Sequence, residues 1–151
     1  CGDYFHSACS TKGVSFSVNR DGQPLKEDSE PIWLMGEVDA LEKVAFNYLS
    51  NALKYTEPEG WVHVRVREEE RSILVEVEDN GPGIEPIYHQ RIFERFFRAD
   101  SGRSRTHGGT GLGLSIVKHL CQASQARITV HSMPGHGSTF SVVPEFILLG
   151  P

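Results

Sequence analysis

The chain has 151 residues, of which 38% are hydrophobic and 23% charged, as in an ordinary soluble domain with a core of its own. Its formal net charge of -5 argues against a nucleic-acid-binding surface over the whole molecule. No apolar run is long enough to span a membrane, no signal peptide is visible, and the three cysteines lack the spacing of a metal site.

The first quarter of the chain predicts a helix, a strand, a loop and a second strand. Residues 1–12 read as the end of a helix that stops at Gly13, because glycine is the usual C-terminal cap. Residues 14–19 alternate as a short strand. Residues 20–31 are polar with two prolines and predict a loop, and residues 32–35 predict a brief apolar strand.

A strong amphipathic helix is predicted from Asp39, its N-cap, to about Tyr55. Beside its apolar stripe, Asn47, Asn51 and Lys54 form a second stripe at spacings of four and three residues. This stripe lies at the edge of the core, where the wall of a cleft would be. Two amide oxygens and an ammonium would suit a hydrated Mg²⁺ and its phosphates, although a polar helix flank without a role remains an alternative.

Two strands follow, and the second leads into a glycine turn. Residues 61–67 alternate with valines on one face, and the pattern resumes over residues 72–79 after a charged turn. The second strand ends in Asp79, and Gly81 and Gly83 bracket the proline between them. Glycine turns often cradle phosphate, but the carboxylate beside this one would repel it.

A short helix is predicted next, over residues 85–93, and three phenylalanines lie at its end and just after it. We expect Phe93, Phe96 and Phe97 to pack and so anchor the loop that follows, with stacking of one of them on a ligand as the alternative.

The anchored loop, residues 98–111, is polar and rich in glycine, which predicts a mobile segment. Between residues 91 and 107, five arginines oppose one glutamate and one aspartate, a local charge of +3 in a chain of -5. Arginines grouped in this way suit a polyphosphate.

A glycine-rich segment then opens the second strong helix, predicted over residues 112–123. Its glycines free backbone N–H groups to bind an anion at the positive end of the helix dipole, and Thr110 adds a hydroxyl donor. These glycines are Gly108, Gly109, Gly111 and Gly113. The segment is neither a Walker loop nor a dinucleotide fingerprint, since no Gly-Lys-Ser/Thr follows and no strand precedes it.

Residues 127–132 and 138–143 predict a closing hairpin with a turn at residues 133–137. The order of elements predicts an α+β fold, a two-layer α/β sandwich with a mixed sheet of about five strands and three helices on one face.

Four segments together resemble the motifs of the catalytic and ATP-binding domain of sensor histidine kinases. The resemblance covers about Val14 to Phe146. NYLSNALKYT at 47–56 is similar to the N box, DNGPGI at 79–84 to the first glycine box, RIFERFFRAD at 91–100 to the F box, and GGTGLGLSIVK at 108–118 to the second glycine box. The wider superfamily includes type II topoisomerases, mismatch-repair ATPases and heat-shock chaperones, so the resemblance implies their Bergerat-type ATP-binding fold.

The resemblance implies ATP and Mg²⁺ as ligands. Asp79 should accept a hydrogen bond from the adenine amino group, and Gly83 should let the base lie close. Asn51 should hold Mg²⁺ with Asn47 nearby, and these two would act in catalysis together with Lys54 and Arg98, which contact phosphates. The implied nucleotide-binding residues are Asn51, Lys54, Tyr55, Asp79, Gly81, Gly83, Ile84, Phe93, Arg98, Gly109, Thr110, Gly111, Leu112 and Gly113, and residues 98–110 would form the ATP lid.

One departure within the superfamily is informative. Hydrolysing relatives carry a glutamate general base where this chain has Asn47, so ATP hydrolysis should be slow. The implied function is that of a protein-histidine kinase, which transfers the γ-phosphoryl group to a histidine for relay to a response-regulator aspartate. An anti-sigma-type serine kinase and a nucleotide-sensing pseudokinase are the alternatives.

None of the seven histidines matches the acceptor motif of the family. Residues 1–12 are therefore predicted to connect to a dimerisation and acceptor domain outside this chain, and residues 13–151 to form the catalytic domain. Alone, the domain should be a cytoplasmic monomer that does not autophosphorylate or contact nucleic acid or membrane. The expected partners are that acceptor domain and a receiver domain, and the parent should be a homodimer, with its membrane anchoring left open.

Overall fold

The computed structural model describes residues 2–35, 38–99, 109–144 and 147–148. Within them lie three α-helices, namely α1 (Gly2–Lys12), α2 (Val38–Tyr55) and α3 (Gly113–Ala123). The strands are β1 (Ser15–Arg20), β2 (Gln23–Pro24), β3 (Leu34–Met35), β4 (Trp61–Glu68), β5 (Ile73–Asp79), β6 (Arg127–Ser132), β7 (Ser138–Val143) and β8 (Ile147–Leu148). No helix in these ranges is both long and apolar enough to cross a membrane.

Six strands form one mixed sheet in the order β2-β1-β4-β5-β7-β6, while β3 and β8 pair separately. Strands β1 and β4 are parallel, and the other neighbours are antiparallel. Strand β5 lies in the middle, and its last residue, Asp79, pairs with Val62 on one side and Ser138 on the other. The predicted α+β fold with a mixed sheet and three helices is confirmed.

The sixth strand, β2, lies within the predicted loop over residues 20–31. Asp21 and Gly22 both have positive φ, 48° and 79°, which is the conformation of a tight type I′ hairpin turn. An Asp-Gly pair is a known signal for this turn, so the hairpin between β1 and β2 could have been predicted from the sequence. The strand predicted over residues 32–35 is shorter in the structure, where only its last two residues form a strand. These residues pair with β8 and do not join the main sheet.

The prediction of one short helix over residues 85–93 was wrong. Two separate 3-10 turns occupy the segment, Pro86–Tyr88 and Arg91–Phe93. Each closes with a hydrogen bond across three residues, as in the bond from the Glu94 N–H to the Arg91 carbonyl (2.9 Å). The segment packs on the core through buried Ile92, but as two 3-10 turns and not as one α-helix.

The helices cover one face of the sheet, and α2 supplies the centre of the core. Its buried side chains include Val44, Tyr48 and Ala52, which belong to one cluster with Val77 and Phe140 of the sheet. Tyr48 is fully buried, and its hydroxyl donates to the Ser141 carbonyl (3.2 Å). Burial of each large apolar side chain contributes on the order of 2 kcal/mol, which fixes α2 rigidly on the sheet.

The opposite face of the sheet is polar. Arg65 lies there between Glu76 and Glu78, with N–O distances of 3.5 Å and 2.6 Å respectively. A helix-covered apolar face and a charged open face are the two sides of a two-layer sandwich.

Helix α1 packs with the domain through buried Phe5 and Cys9. Its last residue, Lys12, donates from Nζ to the carbonyls of Leu53 (2.6 Å) and Lys54 (3.2 Å), which belong to the last turn of α2. An ammonium at this end satisfies carbonyls that a helix leaves without partners and is favoured by the helix dipole. Whether α1 also leads to a further domain stays a prediction.

Candidate functional site

Asp79 is buried at the end of β5, with only 6% of its surface exposed. Alternation along β5 turns its side chain to the helix-covered face, as it does for Ile73, Val75 and Val77. The N–H of Gly81 donates to its Oδ1 (2.8 Å). Burial raises the pKa of Asp79 to about 6; backbone N–H groups of Gly81 and Ser138 lower it, and the charge of Glu78 raises it. A carboxylate held in this way is a strong, oriented acceptor.

Both glycines of the Asp79 loop are required by contacts within the protein. A Cβ on Gly81 would lie 2.8 Å from Asp79 Oδ1 and 3.1 Å from the Tyr55 carbonyl oxygen. Gly83 has φ of 74°, and a Cβ there would clash with the backbone carbonyl of Met133. The need for glycine at position 83 is thus explained by packing against the β6–β7 turn, whereas close approach of a base remains a prediction.

The β6–β7 turn, residues 133–137, supports the Asp79 loop, a role that no sequence pattern predicts. Gly137 has φ of 78°, and a Cβ there would clash with the Asp79 carbonyl. The N–H of Gly135 donates to the Pro82 carbonyl (2.7 Å). The hydroxyl of Ser132 accepts from the Ile84 N–H (2.8 Å). Residues so far apart in the chain share no local pattern, and only the glycines mark the turn.

Helix α2 forms the wall that joins the two glycine segments. Its half-buried Asn47, Asn51 and Lys54 lie along one edge, as the spacing predicted. At one end the Tyr55 carbonyl meets Gly81, and at the other Asn47 Oδ1 lies 2.9 Å from where a Gly113 Cβ would be. The Nδ2 of Asn47 donates to the Lys43 carbonyl (2.8 Å), which turns Oδ1 toward the start of α3.

Three positive or anion-binding features converge where the predicted lid begins, at Arg98, and near its end, at Gly109. The Lys54 ammonium is so close to Gly109 that a Cβ there would clash with it, and the guanidinium nitrogen Nη2 of Arg98 lies 3.9 Å from the position of that Cβ. Lys54 Nζ also lies 5.0 Å from the centre of the Tyr55 ring. The first residue of α3 is Gly113, and the N-cap residue Leu112 makes no capping hydrogen bond through its side chain. The first N–H groups of a helix have no partner within the helix, so binding of an anion at this end stays a prediction.

The phenylalanine segment behaves as predicted in two of three positions. Phe93 packs edge-to-face on Phe140 (6.5 Å between ring centres), and Phe97 packs on Tyr88 (5.6 Å). Phe96 is the exception, because its side chain is 70% exposed and its φ is 63°. Its N–H donates to the Gly111 carbonyl (3.0 Å), so the backbone of Phe96, not its ring, anchors the lid.

Most predicted site residues lie around this wall, but their ligand contacts remain predictions. Half-buried Ile84 packs against the core, and Thr110 is exposed. Gly108, most of the predicted lid and its arginines at 103 and 105 lie outside the described residues.

The raised pKa of Asp79 predicts a specific pH dependence of stability. The folded state holds this proton more tightly than the unfolded chain, so the contribution of Asp79 to the free energy of unfolding should fall as pH rises from about 4 to about 6 and then stay constant. Tm of the ligand-free domain, measured from about pH 4 to 8 for wild type and Asp79→Asn, checks this. A difference in Tm that does not change over this range would contradict the shift.

Comparison with known proteins agrees with this geometry. Residues 36–147 match the family described as "Histidine kinase-, DNA gyrase B-, and HSP90-like ATPase". The chain is 39% identical over 134 residues to the phosphate regulon sensor protein PhoR of Pseudomonas aeruginosa, covering 83% of this chain and 30% of PhoR. It therefore spans about a third of that relative's length.

Solved structures give the same result. The mycobacterial sensor histidine kinase MprB superposes with a TM-score of 0.77 at 27% identity, over 98% of this chain and 94% of that one. Full-length ShkA in complex with AMPPNP superposes with a TM-score of 0.81 at 25% identity, over 99% of this chain and 29% of that one. The chain thus belongs to the histidine kinase-, DNA gyrase B- and HSP90-like ATPase family, as a catalytic ATP-binding domain of the sensor histidine kinase type.

Proposed function

We propose that this domain binds Mg-ATP and transfers the γ-phosphoryl group to a histidine of a dimerisation and acceptor domain, for relay to an aspartate of a receiver domain. The observation that carries the proposal is the α2 wall, which joins the loop of the buried Asp79 to the start of α3. Lys54, on the same wall, and Arg98 lie next to Gly109. An acceptor for a base and donors for phosphates along one wall match the base and the phosphates of ATP. ShkA, which shares the fold, was solved with the ATP analogue AMPPNP.

Asp79 would accept a hydrogen bond from the adenine amino group, with Gly81, Gly83 and Ile84 forming the loop around the base and Tyr55 beside it. The Asp79 carboxylate is already oriented by backbone N–H groups, so it needs no rearrangement to act as an acceptor. A guanine base carries a carbonyl where adenine carries its amino group, and two acceptors would then face each other. The site should therefore select adenine.

The amide oxygens of Asn51 and Asn47 would hold Mg²⁺. Such oxygens are hard ligands, and Mg²⁺ in phosphate sites takes few protein ligands and binds the substrate phosphates as well. The fit rests on Asn47, whose amide is fixed by its bond to the Lys43 carbonyl with Oδ1 directed away from that bond. When bound, the ion would neutralise phosphate charge during transfer.

The remaining contribution of the chain is positioning and charge. Lys54 and Arg98 would hold the phosphates, and the N–H groups around Gly111, Leu112 and Gly113 would bind them from the lid side with Gly109 and Thr110. Phosphoryl transfer needs little else from the protein. Position 47 is an asparagine, so no carboxylate at this position activates water, and the γ-phosphoryl group is kept for the protein nucleophile. We place the domain in the cytoplasm, as a monomer when separated from a dimeric parent.

Transfer to a separate acceptor tests the proposal. The domain is mixed with γ-labelled ATP, Mg²⁺ and the parent's dimerisation and acceptor fragment, and labelled phosphate on that fragment is followed over time. We expect phosphate that is labile to acid and stable to base, as phosphohistidine is, and an Asn51→Ala variant should lose at least about 100-fold in rate. Base-labile phosphoserine would support an anti-sigma-type kinase instead. ATP binding without any transfer would support a nucleotide sensor.

A further inference from the structure

The hydroxyl of Ser132, the last residue of β6, is the centre of a hydrogen-bond network that supports the Asp79 loop. Its Oγ lies 2.8 Å from the Ile84 nitrogen, 2.9 Å from the Gly137 carbonyl oxygen and 2.8 Å from the Ser138 Oγ. Ile84 ends the Asp79 loop, Gly137 ends the β6–β7 turn, and Ser138 begins β7. One hydroxyl therefore ties the two segments together.

The chemistry of a hydroxyl assigns each of these bonds. A serine hydroxyl has one proton to donate and two lone pairs to accept with. The Gly137 carbonyl can only accept and the Ile84 N–H can only donate, so the Ser132 proton goes to Gly137 and one lone pair receives the bond from Ile84. The Ser138 hydroxyl must then donate to the second lone pair. The one donor and both acceptor positions of the Ser132 hydroxyl are therefore used. These bonds hold the Asp79 loop and the β6–β7 turn in one relative orientation.

This centre connects directly to Asp79. Ser138 pairs with Asp79 across β5 and β7, and its backbone N–H is one of the two that act on the Asp79 carboxylate. Gly137 packs on the Asp79 carbonyl, and the Gly135 N–H holds the Pro82 carbonyl (2.7 Å). If the Ser132 hydroxyl were lost, the turn and the loop would be free to shift relative to each other, and the carboxylate would lose its fixed direction.

We infer that Ser132 is a positioning residue for base recognition, acting through Ile84, Gly137 and Ser138 on the direction of the Asp79 carboxylate. The inference rests on the proposed function, in which Asp79 reads adenine. Ser132 touches no ligand in this scheme. Its loss should therefore weaken the preference for adenine over guanine more than it weakens binding of the triphosphate.

The test compares dissociation constants for ATP and GTP, measured by displacement of a fluorescent nucleotide, in Ser132→Ala and a matched control. Ser72→Ala is the control, because it also removes a part-buried hydroxyl that bonds a backbone carbonyl, that of Pro144 (2.6 Å), but at the opposite end of β5. We expect Ser132→Ala to bind ATP about tenfold more weakly and GTP nearly as before. Ser132→Thr, which keeps the hydroxyl, should restore most of the preference for ATP.

Ser138→Ala provides a second variant, since it removes only the hydroxyl that donates to Ser132, and should give a smaller fall in preference. An unchanged ratio of the two constants in Ser132→Ala, or an equal fall in Ser72→Ala, would overturn the inference. Asp79→Asn, measured in parallel, distinguishes a failure of the Ser132 inference from a failure of the proposed function. If Asp79→Asn loses ATP binding and Ser132→Ala keeps the wild-type ratio of the two constants, only the role of Ser132 is wrong. If Asp79→Asn keeps wild-type affinity for ATP, both the adenine assignment of Asp79 and the role of Ser132 are wrong.

Discussion

Replacing Asp79 with asparagine should weaken ATP binding about 100-fold, equivalent to about 2.7 kcal/mol, while the domain remains folded. The side chains are nearly equal in size, so packing at this buried position is kept. The acceptor changes from a carboxylate to a neutral amide, and hydrogen bonds to charged groups contribute about 1.5–3 kcal/mol. The amide also brings an NH₂ group, which would face the amino group of the base donor to donor.

Isothermal titration calorimetry with ATP, together with the far-ultraviolet circular dichroism of each variant, measures this effect. Glu78→Gln is the matched control, because Glu78 is the preceding residue on the same strand but points to the open face, where it pairs with Arg65 (2.6 Å). It should change ATP affinity less than about twofold, since surface ion pairs contribute little. Equal affinities in Asp79→Asn and wild type would remove Asp79 from the binding site.

The second large effect should come from Gly137→Ala, far from Asp79 in sequence. The left-handed backbone alone would cost about 1–2 kcal/mol with a side chain. The added Cβ would also clash with the carbonyl of Asp79, so the turn or the end of β5 must move. We expect the free energy of unfolding to fall by about 3 kcal/mol or more and ATP affinity to fall at least about tenfold.

Gly135→Ala is an unusually close control for this variant. Gly135 lies in the same turn with the same φ of 78°, but a Cβ there would meet no atom within 4 Å. It should therefore carry only the backbone cost of about 1–2 kcal/mol and leave ATP affinity unchanged. Urea unfolding and calorimetry on both variants separate the two contributions. If the two alanine variants lose the same stability and the same affinity, the Asp79 contact has no special importance.

The features that sequence predicted well are those set by local periodicity. The wheel of α2 placed Asn47, Asn51 and Lys54 on one edge, and the structure has them there, because a helix 18 residues long leaves little freedom in which face is buried. The alternation of β4 and β5 likewise oriented Asp79. These patterns repeat every two or three to four residues and need no knowledge of the tertiary structure.

The features that sequence missed depend on contacts between distant segments. Phe96 was expected to pack, but a left-handed backbone turns its ring outward while its N–H bonds Gly111. Ser132 and Gly137 lie in an unremarkable hairpin, and their importance comes from β7 lying beside β5. Gly83 was assigned to the approach of a base, whereas its missing side chain also makes room for Met133. None of these contacts follows from composition or spacing.

The bond between Lys12 and the carbonyls of Leu53 and Lys54 has a consequence for how the domain responds to its ligand. Thermodynamic coupling is reciprocal, so whatever steadies the last turn of α2 also steadies α1, and by the same factor in the reverse direction. A nucleotide held by Lys54 would therefore also stabilise helix α1, which precedes the first strand of the main sheet, and a force that pulled α1 away would weaken nucleotide binding.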